Sequence, residues 1–174
     1  LSKGKMQTAD GAWQDKGETH LTLEMLSAHS KGVHLIVMPP DNLDLFAAGL
    51  PRLAKALPGL RHVGATLLYR GDDRASINRL DALARTHQLS IFATNDVLYH
   101  APDRRPLQDV MVALREGVII PKAGFLLEAN AEPHLKSPAE MCRLFADWPH
   151  AIAATRTLAD QITFKLTDLK YEYP

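Results

Sequence analysis

Eight histidines, one cysteine and one aspartate at the end of an apolar run are the residues most able to do chemistry in this chain. The histidines are His20, His29, His34, His62, His87, His100, His134 and His150. A metal site read from sequence needs ligands two residues apart on a strand or one turn apart on a helix. No two of these histidines stand two or four residues apart, and none completes His-x-His, His-Glu-x-x-His or Asp-x-His. His87 at a helix end is explained by the helix dipole, and His34 reads as a hydrogen-bonded strand histidine. Cys142, beside Met141 in a helical stretch, reads as core filler rather than a nucleophile. Arg104 and Arg105 could meet an anion, although a charged turn is ordinarily just solvated. Asp96 is the sharpest candidate. It comes after the run Leu89 to Thr94, and in α/β folds sites gather at the carboxyl ends of strands. The plainer reading is that Asn95-Asp96 turns the chain and caps the next segment.

Other chemistries lack their motifs. There is no Gly-x-x-x-x-Gly-Lys-Ser/Thr or Gly-x-Gly-x-x-Gly to cradle phosphate, and no Gly-x-Ser-x-Gly nucleophile elbow.

The elements that must carry these residues alternate. Thr22 caps a short helix through Leu23, Met25 and Leu26 that ends by Gly32. Val33 to Met38 is a β-branched strand stopped by Pro39-Pro40. Asp41 or Asn42 opens a helix that Pro51 divides, with a second piece ending near Leu57. His62 to Tyr69 is a second strand. After Gly71-Asp72-Asp73, the residues Ile77, Leu80 and Ala84 share one helical face. Leu89 to Thr94 is the third strand. A helix opening at Pro106 carries Leu107, Val110, Met111 and Leu114 as a core stripe, and Gly117 stops it. Strands and helices alternating at this spacing predict βα units and a mostly parallel α/β sheet. The last third is helical. Ser137-Pro138-Ala139-Glu140 forms a capping box for a helix burying Met141, Leu144 and Phe145. Pro149 starts another helix with Ile152, Thr155 and Leu158 inward, and Ile162 to Leu166 reads as a short closing strand. The first twenty residues are polar and Gly-punctuated.

Composition sets the outer limits. At 174 residues the chain can bury one sizeable core. Lys plus Arg and Asp plus Glu both number 20, and this zero balance disfavours a dedicated nucleic-acid-binding module. A single cysteine excludes a disulfide framework and fits a reducing cytoplasm. No run reaches the ~20 apolar residues of a membrane span. The opening Leu1-Ser2-Lys3 and the close at Tyr173-Pro174 read as a fragment of something longer.

Three stretches carry a resemblance. Ala93-Thr94-Asn95-Asp96-Val97-Leu98-Tyr99-His100-Ala101-Pro102, continued by Arg104-Arg105-Pro106-Leu107-Gln108-Asp109-Val110, is similar to the bacterial C-family DNA polymerases, the replicative α subunit and its error-prone relatives. Glu128 to Met141 and Leu169-Lys170-Tyr171-Glu172-Tyr173-Pro174 agree, nearer the error-prone branch. Residues 1 to 88 match more weakly. The resemblance implies the second half of an N-terminal PHP (polymerase and histidinol phosphatase) domain, a distorted β/α barrel. On that reading residues 1–118 are the later βα units, and residues 119–174 are a helical extension towards an absent palm. The palm would hold the polymerase aspartates and their Mg2+, so this chain carries no polymerase active site.

A PHP metal site draws an Asp-x-His from a late strand end. Here the match reads Asp96-Val97-Leu98, and a leucine has no lone pair for a metal. Leu68, at another strand end, is apolar as well. Asp96 is then a vestigial metal candidate only, and no cofactor is expected in this chain. The leading expectation is a noncatalytic part of a polymerase that replicates or repairs DNA in the cytoplasm. Its partners would be the rest of that polymerase and other proteins of the polymerase complex, with DNA reached only through the parent. A metal-dependent phosphoesterase or proofreading domain and a nucleic-acid-binding module are the alternatives. An isolated fragment, with strands apolar on both faces and an open edge, is expected to self-associate.

Overall fold

The structure, a computed structural model, describes residues 21–169; the polar stretch 1–20, His20 and the closing residues 170–174 lie outside it. The elements run α1 (Leu23–His29), β1 (Leu35–Val37), α2 (Leu43–Ala56), β2 (Leu60–Thr66), α3 (Asp73–Thr86), β3 (Ser90–Thr94), α4 (Arg105–Glu116), α5 (Ile120–Ala123), α6 (Pro138–Leu144) and α7 (Pro149–Gln161). Short 3-10 turns cover Pro102–Arg104, Gly124–Leu126 and Leu166–Asp168. The helix starts obey local chemistry. Thr22 accepts from the Met25 amide at 3.2 Å, and Asn42 accepts from the Asp44 and Leu45 amides at 3.0 and 3.1 Å. Ser137 accepts from Glu140 N at 3.2 Å, while the Glu140 carboxylate turns to Arg143, so only half of the expected capping box forms.

The three strands form one parallel sheet in the order β1-β2-β3, which makes the molecule α/β as the alternation predicts. In β2–β3 the register pairs His62 with Ser90 and continues to Thr66 with Thr94. Right-handed crossovers put α2 and α3 on one face of such a sheet. Alternation then decides which side chains meet them. Val63 and Ala65 of β2 and Ile91 and Ala93 of β3 join Phe46 and Leu50 of α2 and Ile77, Leu80 and Ala84 of α3 in one buried cluster. Leu144, Phe145, Trp148 and Ala151 belong to the same cluster, so the helical last third returns to the sheet, with α7 packed against β3. Trp148 Nε1 donates to Asn78 Oδ1 at 3.0 Å and His150 meets Asp81 at 2.9 Å, tying α7 to α3.

The opposite face carries His62, Gly64, Thr66, Ser90, Phe92 and Thr94. It is half-polar and half-exposed rather than apolar, apart from buried Gly64. His62 Nδ1 lies 2.9 Å from Ser90 Oγ, and the His62 and Phe92 rings stand 5.4 Å apart. The thioether end of the Met38 side chain packs against Gly64, in the space a Cβ there would take.

Four expectations are corrected. Pro51 does not divide α2, which runs unbroken through it. Pro51 sits on the exposed side, and Phe46 and Leu50 before it and Leu57 after it are held in one core, so tertiary packing outweighs the lost backbone bond. Ile162 to Leu166 forms no strand; Ile162, Phe164 and Leu166 are exposed beyond α7. In α7 the small Ala151 and Ala154 are the fully buried residues; Ile152 packs against the core from its margin as expected, and Thr155 and Leu158 stay only half-buried. The stripe Leu107, Val110, Met111 and Leu114 is not core. All four face outward, and Val112 and Ala113 are the buried residues of α4. A helical period fixes which residues share a face, not what that face meets.

Phe145→Ala should lower unfolding free energy by about 3–5 kcal/mol, the range for emptying a buried aromatic site. Leu114→Ala should change it by less than about 0.5 kcal/mol, as an exposed substitution does. Urea denaturation of the two variants checks both, and a large loss for Leu114→Ala would restore the stripe to the core.

Candidate functional site

Parallel strands bring their carboxyl ends to one edge, and the structure is densest in polar contacts there. The chain leaves β2 through Leu67, Leu68, Tyr69 and Arg70, with Tyr69 in the left-handed region at φ 54°. The Asp73 carboxylate, at the start of α3, accepts from the Leu68 amide at 3.0 Å and the Arg70 amide at 2.7 Å, which holds this bend. The chain leaves β3 through Asn95, Asp96, Val97, Leu98 and Tyr99. A loop from Glu128 to Lys136 then lies across both exits. Leu98 N donates to Pro133 O at 2.9 Å and Leu135 N to Tyr99 O at 3.1 Å, giving a parallel bridge between Tyr99 and His134.

Two asparagines fasten this loop. Asn95 is 7% exposed; its Nδ2 donates to Glu132 O at 3.3 Å and also to His134 O. Asn130 Nδ2 donates to Leu68 O at 2.6 Å, and its Oδ1 accepts from Glu132 N at 2.9 Å. Asn95 therefore joins the β3 exit to the loop, and Asn130 joins the β2 exit to it. A buried cation reinforces the loop from within. The Lys136 side chain is 2% exposed, and its ammonium donates to Glu132 O at 2.6 Å and pairs with the Glu132 carboxylate at 3.0 Å. Arg105 donates to Glu128 O at 2.6 Å, and Arg70 pairs with Glu128 at 2.9 Å. Burial pushes the Tyr99 hydroxyl above its ordinary value.

Asp96 lies at this edge, exposed and at φ 44°. Leu98 is half-exposed and Leu68 is fully buried. Among the described residues no three His, Cys, Asp or Glu side chains are grouped closely enough to hold a metal ion. Asp96 belongs to no such group. The histidines are scattered. His29 bonds Met25 O in α1, His134 bonds Ala131 O in the loop, and His150 meets Asp81. His62 lies on the open sheet face, and His100 is exposed. Cys142 is exposed on α6 rather than buried, because Leu144 and Phe145 take the core-facing positions there.

A cleft of about 360 Å³ opens beside the β2 exit, lined by Tyr69, Gly71, Asp73, Arg74 and Arg143 among others. Its cations are already engaged. Arg143 donates to Tyr69 Oη at 3.0 Å and to both Glu140 carboxylate oxygens, which holds its guanidinium well above the usual arginine value. Arg74 pairs with Asp147 and lies 5.6 Å over the Trp148 ring. Most polar groups of this edge bind one another and hold backbone in place, while Asn95 Oδ1 and Arg105 Nε are buried without a hydrogen-bond partner among the described residues. Asn130 and Lys136 are the residues that sequence reasoning missed, and from sequence Asn95 reads only as a turn former. An asparagine directly after a β-branched strand was the one available signal.

No protein-family model matches the chain. Over nearly all of its length, however, it is similar to one segment of a class of bacterial DNA polymerases. It is 47% identical over 161 residues, 92% of this chain, to the error-prone DNA polymerase of Caulobacter vibrioides. Against the error-prone DNA polymerase of Brucella abortus it is 45% identical over 175 residues, and against that of Rhodopseudomonas palustris 47% over 176, both covering 100% of this chain. The chain spans only 15–16% of the length of these relatives.

His62 gives the fold a pH dependence. Burial against Phe92 and Ser90 holds its imidazole below its ordinary value, with His34 and Arg61 adding positive neighbours. The unfolded chain therefore takes up this proton first. Stability from His62 is complete above the ordinary histidine range near ~6.5 and falls as pH drops through it. Unfolding curves between pH 7.5 and 5.5 should show His62→Gln losing less stability on acidification than the parent. Equal losses would remove His62 as a source.

Proposed function

We propose that this chain is a noncatalytic segment of an error-prone DNA polymerase, formed by the later βα units of a PHP-type barrel (1–118) and a helical extension (119–174) leading towards the palm. The observation that carries this reading is the 45–47% identity along essentially the whole chain to about one-sixth of such polymerases. The site supports the noncatalytic part. Leucines stand at two strand exits where a metal would need donors, and the polar side chains around them are spent on the loop from Glu128 to Lys136. The parent performs template-directed synthesis in the cytoplasm with Mg2+ held elsewhere in its chain, and this segment acts as scaffold.

Asp96→Ala in the full-length polymerase tests this. Primer extension should stay within about twofold of the parent, and the protein should carry no stoichiometric zinc or manganese bound through this segment. A loss beyond tenfold in a folded protein, or metal released by this substitution, would give Asp96 a chemical role and favour a phosphoesterase reading.

The scaffold reading also bears on the segment alone. β1 and β3 are both edge strands among the described residues, and open edges template pairing. The isolated chain should therefore sediment above its monomer mass of 19.2 kDa at micromolar concentration. A clean monomer would remove edge pairing.

A further inference from the structure

Among the described residues Asn95 is the one polar residue buried as a whole. Two carbonyls fix the orientation of its amide, since Nδ2 donates to Glu132 O at 3.3 Å and to His134 O. Its Oδ1 is then an enclosed acceptor to which no described group donates. Folded proteins satisfy nearly all such atoms, with ordered water where no protein donor reaches. Arg105 Nε is the other buried atom without a partner, but the Asp109 carboxylate stands 3.7 Å from it, so Asn95 Oδ1 is the sharper case.

Lys136 closes on the same place. Its ammonium carries three N–H groups. One donates to Glu132 O at 2.6 Å, the oxygen that also takes Asn95 Nδ2, and a second meets the Glu132 carboxylate at 3.0 Å. The side chain is 2% exposed, so the third N–H is shut off from bulk solvent. A spare donor and a spare acceptor therefore belong to two side chains that converge on one oxygen.

We propose that a buried water-binding site lies between them, where one water molecule accepts from the third Lys136 N–H and donates to Asn95 Oδ1. The two groups select this ligand. A metal cation or an ammonium at Oδ1 would stand beside the Lys136 ammonium, whose charge Glu132 already matches. An anion would face the lone pairs of Asn95 and the Glu132 carboxylate. A neutral molecule that both donates and accepts suits both atoms, and water is the one small enough for an enclosed joint. The bridge ties the exit of β3 to the far end of the loop from Glu128, so that the crossing loop is held by solvent as well as by protein. It rests on side chains of this chain alone and does not depend on the polymerase reading.

The test is a high-resolution crystal structure of the full 174-residue chain, with further crystals soaked in rubidium chloride and in sodium bromide. The expected result is one spherical density peak at about 2.6–3.2 Å from both Asn95 Oδ1 and Lys136 Nζ, with no anomalous signal in either soak. A rubidium peak there would make it a cation site and a bromide peak an anion site, and either overturns the proposal. So would an empty joint, or a protein N–H or O–H found donating to Oδ1. Lys136→Met supplies a second reading, because it removes one partner of the water and leaves Asn95 in place. The peak should fall below about half occupancy in that variant, as a water with too few polar partners does. A peak of unchanged height would remove Lys136 from the site and overturn the bridge. Should the variant not fold, the soaked crystals of the unsubstituted chain decide the matter.

Discussion

Parallel strands cannot be joined by tight turns. Each return needs a helix, and every strand then ends at the same edge with carbonyls and amides that have no further strand to meet. That constraint organises this molecule. The helices α2 and α3 are the required returns, and their apolar faces build the core with Val63, Ala65, Ile91 and Ala93. The strand exits are then satisfied one by one. Asp73 takes the Leu68 and Arg70 amides, Asn130 takes the Leu68 carbonyl, and Asn95 reaches two carbonyls of the crossing loop. The edge where an α/β enzyme keeps its reactive groups is here occupied by the work of closing the chain.

The alternation of strand and helix was legible because two periods, 2 and 3.6, differ sharply in this sequence. Ile77, Leu80 and Ala84 were readable as one face, and the structure buries all three. Gly117 was readable as a stop, and it adopts φ 66° at the end of α4. The pattern does not encode the destination of a face. The stripe of α4 has the same spacing as a core stripe but meets no partner among the described residues, while the modest Ala151 and Ala154 of α7 sit inside. Pro51 shows the same limit from another direction. Its local tendency to break a helix is outweighed by core contacts on both sides of it.

The candidate site was legible only in its location. Asp96 drew attention because acidic residues at strand ends so often act chemically, yet the neighbouring Asn95 is the residue turned inward. Its role depends on a loop 37 residues further along the chain, a pairing that no local pattern announces. Lys136 illustrates the same point. A lysine after a proline-containing loop looks solvated, and only the fold reveals its enclosure against Glu132.

The return of α7 to β3 has a consequence for how the protein is made. Trp148 and Ala151 complete a core shared with β3 and α3, so its closing contacts join distant residues, as Trp148 joins Asn78 70 positions away. Such a topology folds slowly, because loop closure is paid before the contacts reward it. During translation the strands and their crossover helices leave the ribosome first, with β3 lacking its cover. The nascent chain must wait through α4, α5 and the crossing loop before α7 emerges to seal it. Over that interval the chain depends on slow aggregation or on a chaperone.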